Sequence, residues 1–116
     1  MNIQIFGSKK SSDTKKALRF FKERGIKPQF VDLQQREIAL GEIKRFVDKF
    51  GIDALINKKE FEKQGLGHYR LAEKDLLAKL IADHKLMVQP LVRAANVLEP
   101  CWREAFWKDW YKSQKQ

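Results

Sequence analysis

The chain has 116 residues, 43% of them hydrophobic and 34% charged, and a formal net charge of +9 at pH 7. This length suits one domain with a buried core, so we expect a single domain over residues 1–116. No apolar run approaches the roughly 20 residues of a membrane-spanning helix, and the first residues enter a strand pattern directly, which predicts a cytoplasmic protein with no membrane partner. The single cysteine, Cys101, excludes an intramolecular disulfide and a cysteine-rich zinc site, and we expect no metal.

The first part of the chain predicts a strand, a helix and a second strand. A strand pattern covers residues 2–6, and a helix pattern runs from about residue 12 to residue 23, before Gly25. Glycine suits the left-handed conformation that often follows a helix. A second strand is predicted over residues 29–33. Two strands joined by a helix within so few residues form a βαβ unit, whose strands are parallel.

The rest of the chain predicts helices and then a hairpin. Apolar residues at helical spacing indicate a helical insert over about residues 38–84. Residues 86–93 form an extended run that contains Pro90, and residues 94–98 supply a turn and a short strand. Pro100 suits the first turn of a last helix. The order βαβ, insert, ββα predicts an α/β fold of the thioredoxin-like or glutaredoxin-like kind, with a four-stranded mixed sheet.

The loop before the first helix, GSKKSSDTKKAL, has two interpretations. The hydroxyls of Ser11, Ser12 and Thr14 and the amine of Lys10 lie at a helix start. Unpaired backbone N–H groups and the helix dipole could hold phosphate or sulfate there. Serine is also a preferred helix cap, so these residues could serve the helix alone.

Two surfaces are candidates for binding a partner. Lys15, Arg19 and Lys22 recur at helical spacing on one face of the first helix, where they could meet nucleic acid or an acidic protein, or be a solvated face. On the last helix, predicted over residues 101–111, Trp107 and Tyr111 extend the apolar arc beyond the stripe that packing on a sheet requires. These two aromatics are candidates for an exposed patch that binds a protein partner, and the alternative is that the insert or the C-terminal tail covers them. The packing side is expected to carry Trp102, Ala105, Phe106 and Trp110.

Several short segments, in this order and spacing, resemble one family over nearly the whole chain. They are the loop after the first strand, DALINKK, KQGL, and QPLV ahead of the hairpin and the last helix. Together they resemble the arsenate reductase and Spx family of thioredoxin-fold proteins. In that family the loop ends with a reactive cysteine, and a serine or second cysteine often follows three residues later. The resemblance puts Ser11 at the cysteine position and Thr14 at the second position.

Further departures from the family lie elsewhere in the chain. The family has an arginine before a cis proline, and this chain has Gln89 before Pro90. Arginines of the arsenate-reducing members correspond to Asn57 and Glu99. The resemblance implies that Pro90 is cis and faces the Ser11 loop, so that Gln89 and Pro90 are candidates for contacting a ligand or an extended peptide.

These departures predict a redox-inactive protein. A cysteine at a helix start forms a thiolate near pH 7, whereas a serine attacks only with the help of an adjacent base. The two histidines, His68 and His84, are interpreted as surface or boundary residues and not as that base. Arsenate is a dianion that guanidinium groups hold best. We therefore expect a binding or regulatory protein without a cofactor, as in the Spx-like branch, which binds the RNA polymerase alpha subunit. The alternative is a thiol oxidoreductase linked to glutathione or glutaredoxin, which uses Cys101 near a helix start or a borrowed thiol.

Overall fold

The computed structural model describes residues 2–66 and 71–114. Its elements, in chain order, are β1 (Ile3–Gly7), α1 (Ser12–Glu23), β2 (Gln29–Asp32), α2 (Leu40–Phe50), α3 (Lys58–Lys63), α4 (Glu73–Ala82), β3 (Leu91–Ala94), β4 (Val97–Pro100) and α5 (Glu104–Gln114). Short 3₁₀ turns lie at Ile52–Leu55 and His84–Leu86. No helix in these two ranges is long and apolar enough to cross a membrane.

The four strands form one mixed sheet in the order β2-β1-β3-β4. Strands β1 and β2 are parallel, whereas β3 runs antiparallel to both β1 and β4. Phe6 of β1 lies opposite Val31 on one side and Leu91 on the other. The α/β class and the four-stranded mixed sheet predicted from the sequence are confirmed.

Alternate residues of the strands supply two hydrophobic cores, because successive side chains of a strand point to opposite faces. Phe6 and Leu91 belong to the core that the helices between β2 and β3 cover. Ile5 and Val92 belong to the other core, together with apolar side chains of α1 and with Trp107 of α5. The sheet is therefore packed on both faces, and the ends of its strands remain available for a site.

Helix α1 has the predicted bounds because both of its ends carry local signals. Ser11 is the N-cap, with extended backbone angles, and its hydroxyl oxygen accepts a hydrogen bond from the Thr14 N–H at 3.2 Å. At the other end Gly25 has a φ of +73°, and its N–H donates to the Lys22 carbonyl at 3.0 Å. A side chain at this φ would be strained, so glycine fixes where the helix ends.

Two boundaries near the hairpin differ from the prediction. Leu86 lies in a 3₁₀ turn rather than in an extended run, because the carboxylate of Asp83 caps that turn by accepting from the Lys85 N–H at 3.1 Å. Pro100 ends β4, where it lies opposite Leu91, and the last helix begins at Glu104 instead. The prediction that Pro100 opens the last helix is therefore wrong.

Trp107 does not belong to an exposed patch, because it is fully buried, so the interpretation as a surface residue is wrong for Trp107. Its ring lies 5.6 Å from that of Phe21 and 5.3 Å from that of Trp110, measured between ring centroids. Since the helix starts only at Glu104, Trp102 lies outside its periodicity and does not set the direction of the apolar stripe. The stripe centres near Trp107 instead, and Ala105, expected on the packing side, is exposed.

Tyr111, the second member of the expected patch, is half-buried. The guanidinium carbon of Arg24 lies 5.5 Å from the centroid of its ring and 3.6 Å from the centroid of the Phe20 ring. Tyr111 thus belongs to the contact between α1 and α5. Its role toward a partner stays a prediction.

Candidate functional site

A polar cleft of about 390 Å³ opens where the loop after β1 meets the start of α3 and the turn before β3. Its lining consists of Ser8, Lys10, Ser11, Gln34, Asn57, Glu60, His84, Lys85 and Gln89. Three of these positions, Ser11, Asn57 and Gln89, are those where the resemblance expects a cysteine and two arginines. The fold therefore brings these three departures from the family into one site.

The hydroxyl of Ser11 serves as a helix cap, as the bond from the Thr14 N–H shows. The Ser11 N–H in turn donates to the Ser8 carbonyl at 3.0 Å. Ser12 is exposed and outside the lining, and Thr14 is buried, with its hydroxyl so close to Gly7 that a Cβ on that glycine would lie 2.5 Å from Oγ1. Of the hydroxyls proposed for an anion cradle, the cleft contains only that of Ser11.

Gln89 is held in place at both ends of its side-chain amide. Its Oε1 accepts from the Ser8 N–H at 2.7 Å, and its Nε2 donates to the His84 carbonyl at 2.9 Å and lies 3.2 Å from His84 Nδ1. The peptide bond between Gln89 and Pro90 is cis, as the resemblance implies, and Pro90 is buried beneath the lining. The amide of Gln89 is thus neutral and fixed, at the position where the resemblance expects an arginine.

Asn57 has a capping role like that of Ser11. Its Oδ1 accepts from the Glu60 N–H at 3.2 Å at the start of α3, and its own N–H donates to the Leu86 carbonyl at 2.8 Å. Glu99, the other position compared with a family arginine, lies outside the cleft and pairs with Arg103 at 3.0 Å. The charged side chains of the lining are Lys10, Lys85 and Glu60, apart from the titratable His84.

The Ser11 hydroxyl has no activating base hydrogen-bonded to it in the part of the chain that the structure describes. Among the described residues, no histidine or carboxylate hydrogen-bonds the Ser11 hydroxyl, and a serine without such a base does not attack. His68 lies outside the described residues. Within residues 2–66 and 71–114 no three His, Cys, Asp or Glu side chains are grouped to hold a metal ion. The lysines and amides of the lining can bind a polar or anionic group.

The structure resembles several solved structures of arsenate reductase-related proteins. An arsenate reductase from Vibrio cholerae matches with a TM-score of 0.73 and 22% identity, over 86% of this chain and 89% of that one. An ArsC family related protein from Bacteroides fragilis matches with a TM-score of 0.79 and 16% identity, over 94% and 97%. An arsenate reductase (ArsC) related protein from Brucella melitensis matches with a TM-score of 0.70 and 19% identity, over 97% and 96%.

The chain has the ArsC-type thioredoxin-like fold. No family model and no curated protein matches the sequence, so the likeness rests on three-dimensional structure. At these identities it is a likeness of fold, and the chemistry of the site must be judged from this chain's own residues.

Within the ArsC-type fold Cys101 does not lie where the alternative function needs it. It lies three residues ahead of α5 instead of within its first turn, it is exposed, and its φ is +63°. Partial burial of the thiol and the nearby carboxylates of Asp13 and Glu99 raise the pKa of Cys101 above its ordinary value. Neither the position nor the raised pKa of Cys101 fits the activation by a helix start on which the alternative function depends.

We expect Cys101 to alkylate slowly near neutral pH, because a raised pKa leaves little thiolate. The measurement is the rate of reaction with iodoacetamide between about pH 6 and 10, fitted to one pKa. The expected pKa is at or above the value of about 8.5 for a free cysteine. A pKa clearly below that value would contradict the raised pKa described above and would support the alternative function.

Other members of the cleft carried no signal in the sequence. Ser8 lies in the loop before α1, but its contact with Gln89 joins residues 81 positions apart. Gln34, Glu60 and Lys85 also line the cleft, and nothing in their local sequence marks them. Only the resemblance, which placed Asn57 and Gln89 at functional positions, pointed to the part of the site beyond the loop.

Proposed function

We propose that this protein is redox-inactive and acts by binding another macromolecule as a regulatory or structural partner. One observation supports the proposal: the hydroxyl of Ser11, the residue that the resemblance puts at the reactive-cysteine position, caps α1. A hydroxyl forms no thiolate and no mixed disulfide with glutathione. The loop retains a structural role at the place where thiol chemistry would occur.

The remainder of the cleft supports the same proposal. Arsenate is a dianion, and planar guanidinium groups are well matched to hold it. Asn57 and Gln89 supply neutral amides instead, and their oxygens are engaged with backbone N–H groups. The amines of Lys10 and Lys85 remain for polar or anionic groups of a ligand. We propose this cleft, with the cis Pro90 beneath it, as a binding site without a chemical step.

The alternative, a glutathione-linked oxidoreductase, requires a thiol at the site. Cys101 is the only thiol in the chain, and its raised pKa and its place outside the cleft lining speak against that role. A protein partner remains the proposed class for regulation. Contact with the transcription machinery, which the resemblance to the Spx-like branch implies, is one form that such regulation could take.

A coupled reductase assay tests this proposal. Arsenate, glutathione, glutaredoxin and an NADPH-dependent recycling system are mixed with the wild type or with Ser11→Cys, and NADPH oxidation is followed. We expect the wild type to stay at the rate of the protein-free blank. If Ser11→Cys turns over and the wild type does not, the wild-type protein has a competent scaffold that lacks only the nucleophile. Arsenate-dependent oxidation by the wild type that disappears in Cys101→Ser would instead support the alternative.

A further inference from the structure

Helix α1 presents a basic ridge, formed by Lys15, Arg19 and Lys22. All three side chains are exposed, and their spacing places them on one face over about 10 Å of the helix axis. In the described parts of the chain, ion pairs within 4.0 Å form elsewhere, and none involves these three residues. The ridge is therefore a line of cations without internal neutralisation.

The acidic residues of α1 form no ion pair with the ridge. Asp13 lies 3.8 Å from Lys16, with which it pairs. Glu23 lines the groove that α1 forms with α5, together with Arg19, Glu104 and Lys108. Lys15 and Lys22 lie outside that lining, and no ion pair within 4.0 Å joins Glu23 to any of the three ridge residues. The ridge therefore keeps its positive charge, although Arg19 shares the groove with two carboxylates.

The net charge of the protein is concentrated around this helix. The first thirty residues contain eight of the 24 lysines and arginines but only two of the 15 acidic residues. Lys9 and Lys10 precede α1 and Lys27 follows it, and all three are exposed. The ridge is thus the centre of a positive pole, and its partner must be strongly anionic.

The ridge carries no apolar anchor. The exposed residues of α1 are Ser12, Lys15, Lys16, Arg19, Lys22 and Glu23. Protein interfaces take most of their binding energy from buried aromatic and arginine anchors, and single-stranded nucleic acids stack on exposed aromatic rings. A row of cations without such rings instead matches the phosphates of a duplex, which carries one negative charge about every 1.7 Å.

We propose that the α1 ridge binds the phosphate backbone of double-stranded nucleic acid, without reading its sequence. The inference goes beyond the protein binding proposed above, because it assigns a second partner of a different class to a surface outside the cleft. Lys15, Arg19 and Lys22 each neutralise a phosphate, and the flanking lysines add to the attraction. Affinity therefore depends steeply on salt, because each neutralised phosphate releases condensed counterions.

Fluorescence anisotropy with a labelled DNA duplex of about 20 base pairs, between about 50 and 200 mM salt, tests the proposal. We expect binding that weakens linearly in log K against log salt. The triple variant Lys15→Ala, Arg19→Ala, Lys22→Ala should bind at least about tenfold more weakly at the lowest salt, with a slope reduced by about 2–3. Lys44→Ala, Arg45→Ala, Lys49→Ala on α2 is the matched control, because it removes the same charges from exposed positions and should change affinity about threefold or less.

Three results would overturn the proposal. The first is no binding of the duplex at the lowest salt, and the second is an equal loss of affinity in both triple variants. The third is a glutamate-rich peptide that binds the wild type as tightly as the duplex does and loses as much affinity in the ridge variant. The charge-conserving variant Lys15→Arg, Arg19→Lys, Lys22→Arg must keep its affinity, which guards against a folding artefact. The reductase assay does not depend on these residues, so failure of duplex binding leaves the result on redox inactivity unchanged.

Discussion

Replacing Trp107 by alanine is expected to lower the free energy of unfolding by about 3–5 kcal/mol. Trp107 is the largest fully buried side chain, and it packs against Phe21, Phe106 and Trp110 in the core beneath α1 and α5. Alanine would leave a cavity that the surrounding rings cannot fill completely, and cavity formation adds to the lost burial. Urea unfolding, followed by far-UV circular dichroism, measures the change.

Two matched variants make this prediction specific. The Nε1 atom of Trp107 is buried and has no hydrogen-bond partner in the described residues, so Trp107→Phe removes an unsatisfied donor and should cost only about 1–2 kcal/mol. Trp110→Ala, at a half-buried position of the same helix, should cost less than Trp107→Ala. A loss below about 1 kcal/mol for Trp107→Ala would contradict the observed packing.

The first half of the fold was predictable because its signals are local. A serine cap and a glycine with positive φ bound α1, and both are visible in the sequence. Each half of the chain shows its element order in the same way, through apolar spacing and turn residues. These signals act within a few residues, so tertiary contacts did not have to be known to predict the sheet and the helices around it.

The last helix was harder to predict because its apolar stripe depends on where the helix starts. Pro100 offered a plausible start, but pairing with Leu91 keeps it in β4. With the true start at Glu104, the centre of the stripe moves to Trp107, which turns an expected surface residue into a core residue. Strand pairing within the β3–β4 hairpin thus overrode the helix signal of Pro100.

Part of the site could be predicted from the sequence, and part of it depends on contacts between residues far apart in the chain. Ser11 was marked by its place at a helix start, and Asn57 and Gln89 by the resemblance to the family. The cleft itself exists because the Ser8 N–H meets Gln89 across the sheet end and Gln89 meets His84. No pattern in the sequence indicates that these side chains bond to each other, so the shape of the site required the structure.

Replacing Ser11 by cysteine, in a Cys101→Ser background, is expected to create a thiol with a lowered pKa. The side chain at this position already accepts a hydrogen bond from the Thr14 N–H, and a thiolate at a helix start is further stabilised by the helix dipole. Lys10 and Lys85, which line the same cleft, favour the anion as well. At pH 7 we expect alkylation at least about tenfold faster than for Cys101 in the wild type.

The pKa of that single thiol, obtained from its alkylation rate against pH, is the most direct test of the claim that Ser11 replaces the nucleophile of a thiol-activating loop. The reference is the Cys101 thiol of the wild type, which is measured in the same way on the wild-type protein. A pKa below about 7.5 for Ser11→Cys is the predicted result, since cysteines at helix starts commonly fall in that range. A pKa at or above about 8.5, the value of a free cysteine, would contradict the claim.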